Sequence, residues 1–345
     1  MKVGLVIYGS LEQVTGGYLY DRWVVNGLRA RGVDLEVCSL PHVDGSNPLE
    51  LNAVTAGAAL WLEQRRIDVV IGDELCHPVL AELFSVQPAH VSKVLLVHHL
   101  QQWETSNGDA LGVGTEAEAL ARADWIVATS EETRGRLRRA GLTKELVLAA
   151  PGADRLPVLP RLEPAHDARF LFVGNLLAHK RVLELLQAFD GLGACGATLR
   201  LAGSEQRAPE YVRSLRKFVE DSRDLAERVQ FIGVLDDASL AEQYAAADCL
   251  VSCSLVEGYG MGVTEALYAG LPVLMSRTGC AEEFAPSGAL HIVEPSDVRS
   301  WTKALSELVT DPALRSRRAE AAQKLRPALP RWSQTVDIWF ARLGQ

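Results

Sequence analysis

Short runs of consecutive apolar residues alternate with longer segments of helical periodicity along this chain. In the first half the runs are Val3–Tyr8, Leu35–Leu40, Val69–Ile71, Val94–Val97 and Trp125–Ala128. The helix-like segments Tyr18–Arg31, Leu51–Arg66 and Thr115–Arg122 lie between them. Strands that are apolar throughout, rather than at alternate positions, are covered on both faces. Separated by helices, they predict a parallel sheet with helices on either side. The pattern stops at Pro151, where the segment 151–164 carries Pro151, Pro157, Pro160 and Pro164. Proline at that density neither continues a helix nor enters a central strand, so the segment reads as an interdomain linker.

The alternation then restarts. Phe170–Val173, Leu199–Ala202, Val229–Ile232, Leu250–Ser252, Val273–Met275 and Leu290–Val293 are strand candidates. Val182–Phe189, Tyr211–Glu220, Leu240–Ala246 and Val263–Ala269 are the helices between them. The expected fold is α/β: two doubly wound, Rossmann-like domains joined by a hinge, with ligands where strand C-termini face the cleft.

A length of 345 residues suits two domains of ordinary size, and 48% hydrophobic residues suffice for both cores. The net charge of -9 argues against a nucleic-acid binder. Neither half is basic: 14 Lys+Arg face 20 Asp+Glu up to residue 160, and 21 face 24 beyond it. The six cysteines are scattered. Cys249 and Cys253 have a spacing seen in metal sites, but no second Cys/His pair stands near them, so reduced buried thiols are expected. Met1–Tyr8, broken by Gly9-Ser10, is too short for a signal peptide, and no apolar run approaches the roughly 20 residues that span a bilayer. The expected location is the cytoplasm.

Three segments carry candidate chemistry. Gly16-Gly17 lies between the first strand and the helix expected from Tyr18, where glycine lets backbone N–H groups approach a phosphate; a simple tight turn suits it equally. Without a GxGxxG pattern or an acidic residue placed for a ribose, a nicotinamide cofactor is disfavoured. Phe170–Val182 puts Gly174 and Asn175 at a strand end, then Lys180 and Arg181 near a helix start. Cations are mildly unfavourable at a helix N-terminus, and a diphosphate partner would explain them; solvated side chains are the alternative. The third segment, Glu257-Gly258-Tyr259-Gly260-Met261-Gly262-Val263-Thr264-Glu265, joins the strand at Cys249 to a helix. Its glycines let the backbone wrap a ligand, and its two carboxylates can accept hydrogen bonds from sugar or ribose hydroxyls. Surface decoration is the competing reading for two such glutamates, and this strand–glycine loop–helix setting speaks against it.

Two further features are weaker. His98 stands at a strand's C-terminal end, where it either reaches a ligand or is a satisfied polar residue. Arg134, Arg136, Arg138 and Arg139 form a basic helical run. A solvated face is the plainer reading, and peripheral contact with the inner membrane surface is the alternative.

Taken together these segments resemble family 4 of the glycosyltransferases, the retaining enzymes of GT-B fold, over nearly the whole chain. The resemblance rests on Gly16-Gly17, the helix-then-strand segment 28–37, Val97-His98, Ala123–Ser130 and Pro151–Asp154. Most specific is the pair Glu257 and Glu265, separated by seven residues. It implies a donor-binding domain over 156–330, an acceptor-binding domain over 1–155, and a C-terminal helix within 331–345 that packs back on the first domain. It also implies catalytic roles for Glu257, Lys180 and His98. Glu257 and His98 would contact the transferred sugar, Lys180 the diphosphate and Glu265 the ribose. Gly16, Gly17, Gly174, Asn175, Arg181, Gly260, Met261, Gly262 and Val263 would complete the donor site. No metal and no cofactor are expected; the co-substrate is a nucleotide-diphosphate sugar. The acceptor is a saccharide, a lipid-linked sugar or a small molecule.

Two departures from the family stand out. Asn175 replaces a usual arginine, and Arg181 replaces a usual glycine, so Arg181 is expected to supply the missing charge. The implied activity is metal-independent hexosyl transfer with retention. A sugar-nucleotide epimerase of the same fold and a non-catalytic nucleotide-sugar-binding subunit are the rival readings.

Overall fold

The computed structural model describes residues 1–43, 45–105, 109–162, 166–293 and 297–344, with the side chains of 104 and 105 excepted. Pro164 of the linker segment lies outside them. Two compact units are present: Met1–Pro151 together with Trp332–Gln345, and Gly152–Arg331.

The first unit holds β1 (Lys2–Tyr8), β2 (Asp34–Leu40), β3 (Val69–Asp73), β4 (Ser92–Val97), β5 (Trp125–Ala128) and β6 (Glu145–Leu148). All pair in parallel, in the order β2-β1-β3-β4-β5-β6. β1, β3 and β5 are buried over nearly their whole length, as strands covered on both faces must be. β6 is the strand that the apolar pattern does not predict. It is four residues long, lies at the sheet edge and begins with the exposed Glu145.

Helix starts follow their caps rather than the onset of apolar periodicity. The first helix runs Gly16–Ala30, ahead of the expected Tyr18, because the Thr15 side chain accepts from Tyr18 N–H. The second runs Pro48–Arg65, ahead of Leu51: Asn47 accepts from Leu49 and Glu50, and proline opens the first turn.

The helix Trp332–Leu343 completes the first unit by packing on helix Gly16–Ala30. Trp332 stacks on Trp23 with ring centroids 5.1 Å apart. Trp339, 1% exposed, donates from Nε1 to Tyr20 Oη at 2.9 Å, and Tyr20 donates to Ala149 O at 2.8 Å. Gly27 fits this contact tightly, for a Cβ there would lie 2.4 Å from Val336 Cγ2. Alanine would gain up to about 1 kcal/mol of helix propensity. Overpacking costs about 1–3 kcal/mol, so Gly27→Ala is expected to lower stability in a urea titration despite its better propensity.

The second unit holds β7 (Arg169–Val173), β8 (Thr198–Ala202), β9 (Val229–Gly233), β10 (Cys249–Ser252), β11 (Val273–Met275) and β12 (Leu290–Ile292). The order is β12-β11-β10-β7-β8-β9, again all parallel. Phe170, Phe172, Phe189, Leu199, Leu201 and Trp301 centre its core. All six cysteines are free, and five are buried.

Each sheet reverses its winding once, between β1 and β3 and between β7 and β10. Loops leaving neighbouring strands diverge at such a point and open a crevice beyond the strand C-termini, the usual ligand position in doubly wound sheets.

Candidate functional site

In the second domain the two loops that diverge at the switch point are those carrying the sequence-predicted residues. β10 runs out into Ser254 and Glu257, and the helix Met261–Tyr268 follows. Gly260 is its N-cap, with φ +96°, a left-handed backbone where glycine is the least strained residue. Having no side chain, it caps nothing, and the N–H groups of Met261 and Gly262 in the first turn are left for a ligand. Val263 and Thr264 instead bond back to Gly260 O.

β7 ends before Gly174 and Asn175, and a short 3₁₀ turn, Ala178–Lys180, brings Lys180 to the same place. Leu255 N–H donates to His179 O at 2.7 Å, and Cys253 Sγ lies 3.0 Å from Lys180 O, so the β10 loop grips the lysine turn directly. Lys180 Nζ donates to Glu257 Oε1 at 2.6 Å, and Ser254 Oγ donates to the same oxygen at 2.7 Å. The lysine and glutamate side chains are 19% and 16% exposed, so the pair is shielded but open on one side. Burial alone would raise the Glu257 carboxyl. The neighbouring Lys180 charge and the bonds from Lys180 and Ser254 outweigh it and hold the group below its ordinary range.

The α-helix begins at Val182, where the apolar pattern places it, and Arg181 separates it from the 3₁₀ turn that carries Lys180. Arg181 has φ +53° and ψ 38°, a left-handed conformation, which explains in physical terms why glycine suits this position. Its Nε donates to Glu184 Oε1 at 2.8 Å. Relief of the backbone strain, worth about 1–2 kcal/mol, exceeds the few tenths from an i,i+3 ion pair. Arg181→Gly is therefore expected to raise the thermal midpoint.

Glu265 is 4% exposed, and its carboxylate meets Arg155, whose Nε and Nη2 reach Oε1 and Oε2 at 2.7 and 3.1 Å. Tyr244 Oη lies 3.3 Å from Oε2, and Arg155 also pairs with Asp237. Arg155 is a site residue that the sequence reading missed. It lies in the proline-rich segment, and its partner is 110 residues away in sequence.

The first domain gathers Gly16, Gly17 and His98 at its own switch point. The ring Cδ2 of His98 would lie 3.3 Å from a Cβ at Gly17, so the glycine makes room for the imidazole. The ring stands edge-on to Tyr20, with centroids 5.1 Å apart. The backbone N–H groups of His98 and His99 donate to the Glu74 carboxylate at 3.0 and 3.3 Å. Nε2 of His98 turns inward, 3.5 Å from both Asp21 Oδ1 and Asp73 Oδ2. Burial, reinforced by Asp73, pushes the Asp21 carboxyl up to about 7; burial and Asp73 likewise push Glu74 up to about 8.

The arginine run sits on helix Glu131–Arg139. Arg134 pairs with Glu131, Arg136 and Arg139 both reach Asp109, and Arg136 lies 4.1 Å over the Trp103 ring. These charges are largely matched by neighbouring acids. No helix among the described residues is long and apolar enough to cross a membrane.

Over residues 160–325 the sequence matches the family described as Glycosyl transferases group 1. The glycogen synthase of Mycobacterium tuberculosis H37Rv is 29% identical over 185 residues, covering 52% of this chain. The match spans 44% of that relative, less than half its length. Among solved structures, sucrose-phosphate synthase from Thermosynechococcus elongatus aligns with TM-score 0.84 at 20% identity, covering 99% of this chain and 98% of that one. Anabaena HepE in complex with UDP-glucose aligns with TM-score 0.78 at 16% identity over 100% of both chains. At these identities the likeness is one of fold. Residues 160–325, within the second domain, thus resemble the glycosyl transferases group 1, and the fold of the chain is of GT-B type.

Proposed function

We propose that the chain is a retaining glycosyltransferase that moves a sugar from a nucleoside-diphosphate donor to an acceptor hydroxyl, with no metal at the diphosphate. The observation that carries this reading is the Lys180–Glu257 pair at the β7/β10 switch point, beside a helix start that no side chain caps. Lys180 and the N–H groups of Met261 and Gly262 would neutralise the charge that grows on the departing diphosphate. Gly16 and Gly17 of the first domain, and Gly174, Asn175, Arg181, Gly260 and Val263 of the second, would complete the donor contacts. Glu257 would accept hydrogen bonds from the sugar and orient it, forming no covalent bond to it. The leaving diphosphate oxygen then takes the proton of the incoming hydroxyl, and attack from that same face retains the configuration. Glu265 would serve the ribose with the lone pairs that Arg155 and Tyr244 leave unused. His98 would touch the sugar from the first domain. The UDP-glucose held by the Anabaena neighbour supports a nucleotide-sugar donor.

The site's departure at Asn175 favours one second reading, a subunit that binds the donor without turning it over. One experiment tests both. Purified chain is incubated with UDP-, GDP-, ADP- and dTDP-sugars, with and without saccharide, lipid-linked and small-molecule acceptors, while free nucleotide and sugar configuration are followed. Acceptor-dependent nucleotide release is the expected result. Isomerisation of the donor, or donor binding with no release under any acceptor, overturns the transferase reading.

A further inference from the structure

We propose that the first domain contains a divalent metal site built from Asp21, Asp73 and His98. Three separate chain segments meet there. Asp73 ends β3, His98 follows β4, and Asp21 lies on the helix that follows β1, so the cluster occupies the sheet's switch point. One ligating atom from each side chain lies within 4.8 Å of the other two. Nε2 of His98 stands 3.5 Å from Oδ1 of Asp21 and 3.5 Å from Oδ2 of Asp73.

Those distances are too long for charge-assisted hydrogen bonds, which close to about 2.7–2.9 Å. They suit atoms that share an ion. Ligands about 2.1 Å from a common divalent cation stand about 3.0–3.4 Å apart, from octahedral to tetrahedral geometry, so the two histidine–carboxylate distances need only a small contraction.

The unpaired groups point the same way. Asp21 is 1% exposed, yet neither of its carboxylate oxygens has a hydrogen-bond partner, and the buried Nε2 of His98 has none either. Among the described residues no lysine or arginine forms an ion pair with Asp21, Asp73 or Glu74. Buried carboxylates need a counter-charge, and within the cluster only the His98 ring, as an imidazolium, supplies one.

The surrounding residues already hold the ligands in place. Asp73 uses Oδ1 to accept from Leu75 N–H at 2.8 Å, which leaves Oδ2 turned to the cluster. Glu74 anchors the backbone of His98 and His99, Tyr20 fixes the ring plane, and Gly17 leaves the ring its space. Two carboxylates and one imidazole favour a borderline or hard divalent ion such as Mn²⁺, Fe²⁺ or Zn²⁺ over a soft one. Three protein ligands leave coordination positions for water or an anionic ligand. With Nε2 committed to the ion, His98 has only its other edge to offer a substrate.

The test uses the full chain, stripped with a chelator and titrated with Mn²⁺. Loss of the free-ion signal in electron paramagnetic resonance counts the sites, and spin-echo modulation detects directly bonded imidazole nitrogen. One Mn²⁺ per chain with nitrogen modulation is expected, with at least tenfold weaker binding in Asp21→Asn and unchanged binding in Glu257→Gln. Absence of binding of Mn²⁺ and of Zn²⁺ at millimolar concentration overturns the proposal. So does bound Mn²⁺ without nitrogen modulation, or equal affinity in Asp21→Asn. If Asp21→Asn does not fold, the stoichiometry and modulation of the wild-type chain decide the matter alone.

Discussion

Replacing Lys180 by alanine is expected to slow sugar transfer by about 10²- to 10³-fold, the usual cost of losing one group that stabilises a developing oxyanion. The lysine is held where two loops meet at the β7/β10 switch point, and Leu255, Cys253 and Glu257 all fix its position. The loss should fall mainly on kcat, since charge builds on the diphosphate only as the bond to the sugar breaks. Nucleotide release under saturating donor measures it, and turnover at the wild-type rate would remove Lys180 from the mechanism. The same substitution has a pH signature. In the wild type Glu257 has a lowered folded pKa, so its contribution to stability is present above the ordinary carboxylate range and is lost as pH falls through the folded value. Without Lys180 only the Ser254 bond and the His179 charge oppose burial, so the lowering shrinks and the variant should lose less stability than the wild type as pH falls. Thermal midpoints of both proteins across the acid range read this directly.

Arg155→Ala is expected to destabilise the second domain by about 3–5 kcal/mol, because it strands a buried charge. Glu265 is 4% exposed and the arginine side chain 9%, so neither has water to fall back on. The link to Asp237 adds little, since that carboxylate is 67% exposed. At about 2–4 °C per kcal/mol for a domain of this size, the thermal midpoint should fall by roughly 6–20 °C. Arg155→Ala combined with Glu265→Gln should recover part of that loss, because the orphaned charge is gone. A double variant as unstable as the single one would mean that Arg155 acts through packing rather than through its pairing with Glu265.

What could be read from the sequence was what is local. Apolar strands of the β1 and β7 kind announce themselves, and so does the passage from Cys249 through Gly260 into a helix. Lys180 and Glu257 were legible for the same reason: each sits in a short segment whose strand, loop and helix are consecutive. β6 was not, since Glu145–Leu148 offers only three apolar residues and owes its existence to its neighbour β5. Arg155 carries no local mark at all; an arginine among prolines becomes a partner for Glu265 only when the domain has folded. The inward turn of His98 is of the same kind, because it depends on Asp21 and Asp73, residues unremarkable in their own segments. At Arg181 the departure from the family was visible, but its reason, a left-handed backbone, was not.

The first domain is interrupted in sequence, for its helix Trp332–Leu343 follows the whole of Gly152–Arg331. Synthesis at about 5–20 residues per second would take roughly 10–40 s to cross those intervening residues. Throughout that interval the nascent first domain lacks the partners of Trp23, of Tyr20 Oη and of Val336's contact at Gly27. The second domain, contiguous in sequence, can complete its core while the first still waits for its last helix. Birth order on the ribosome is thereby inverted: the segment made first is finished last, and it must stay free of aggregation in the meantime.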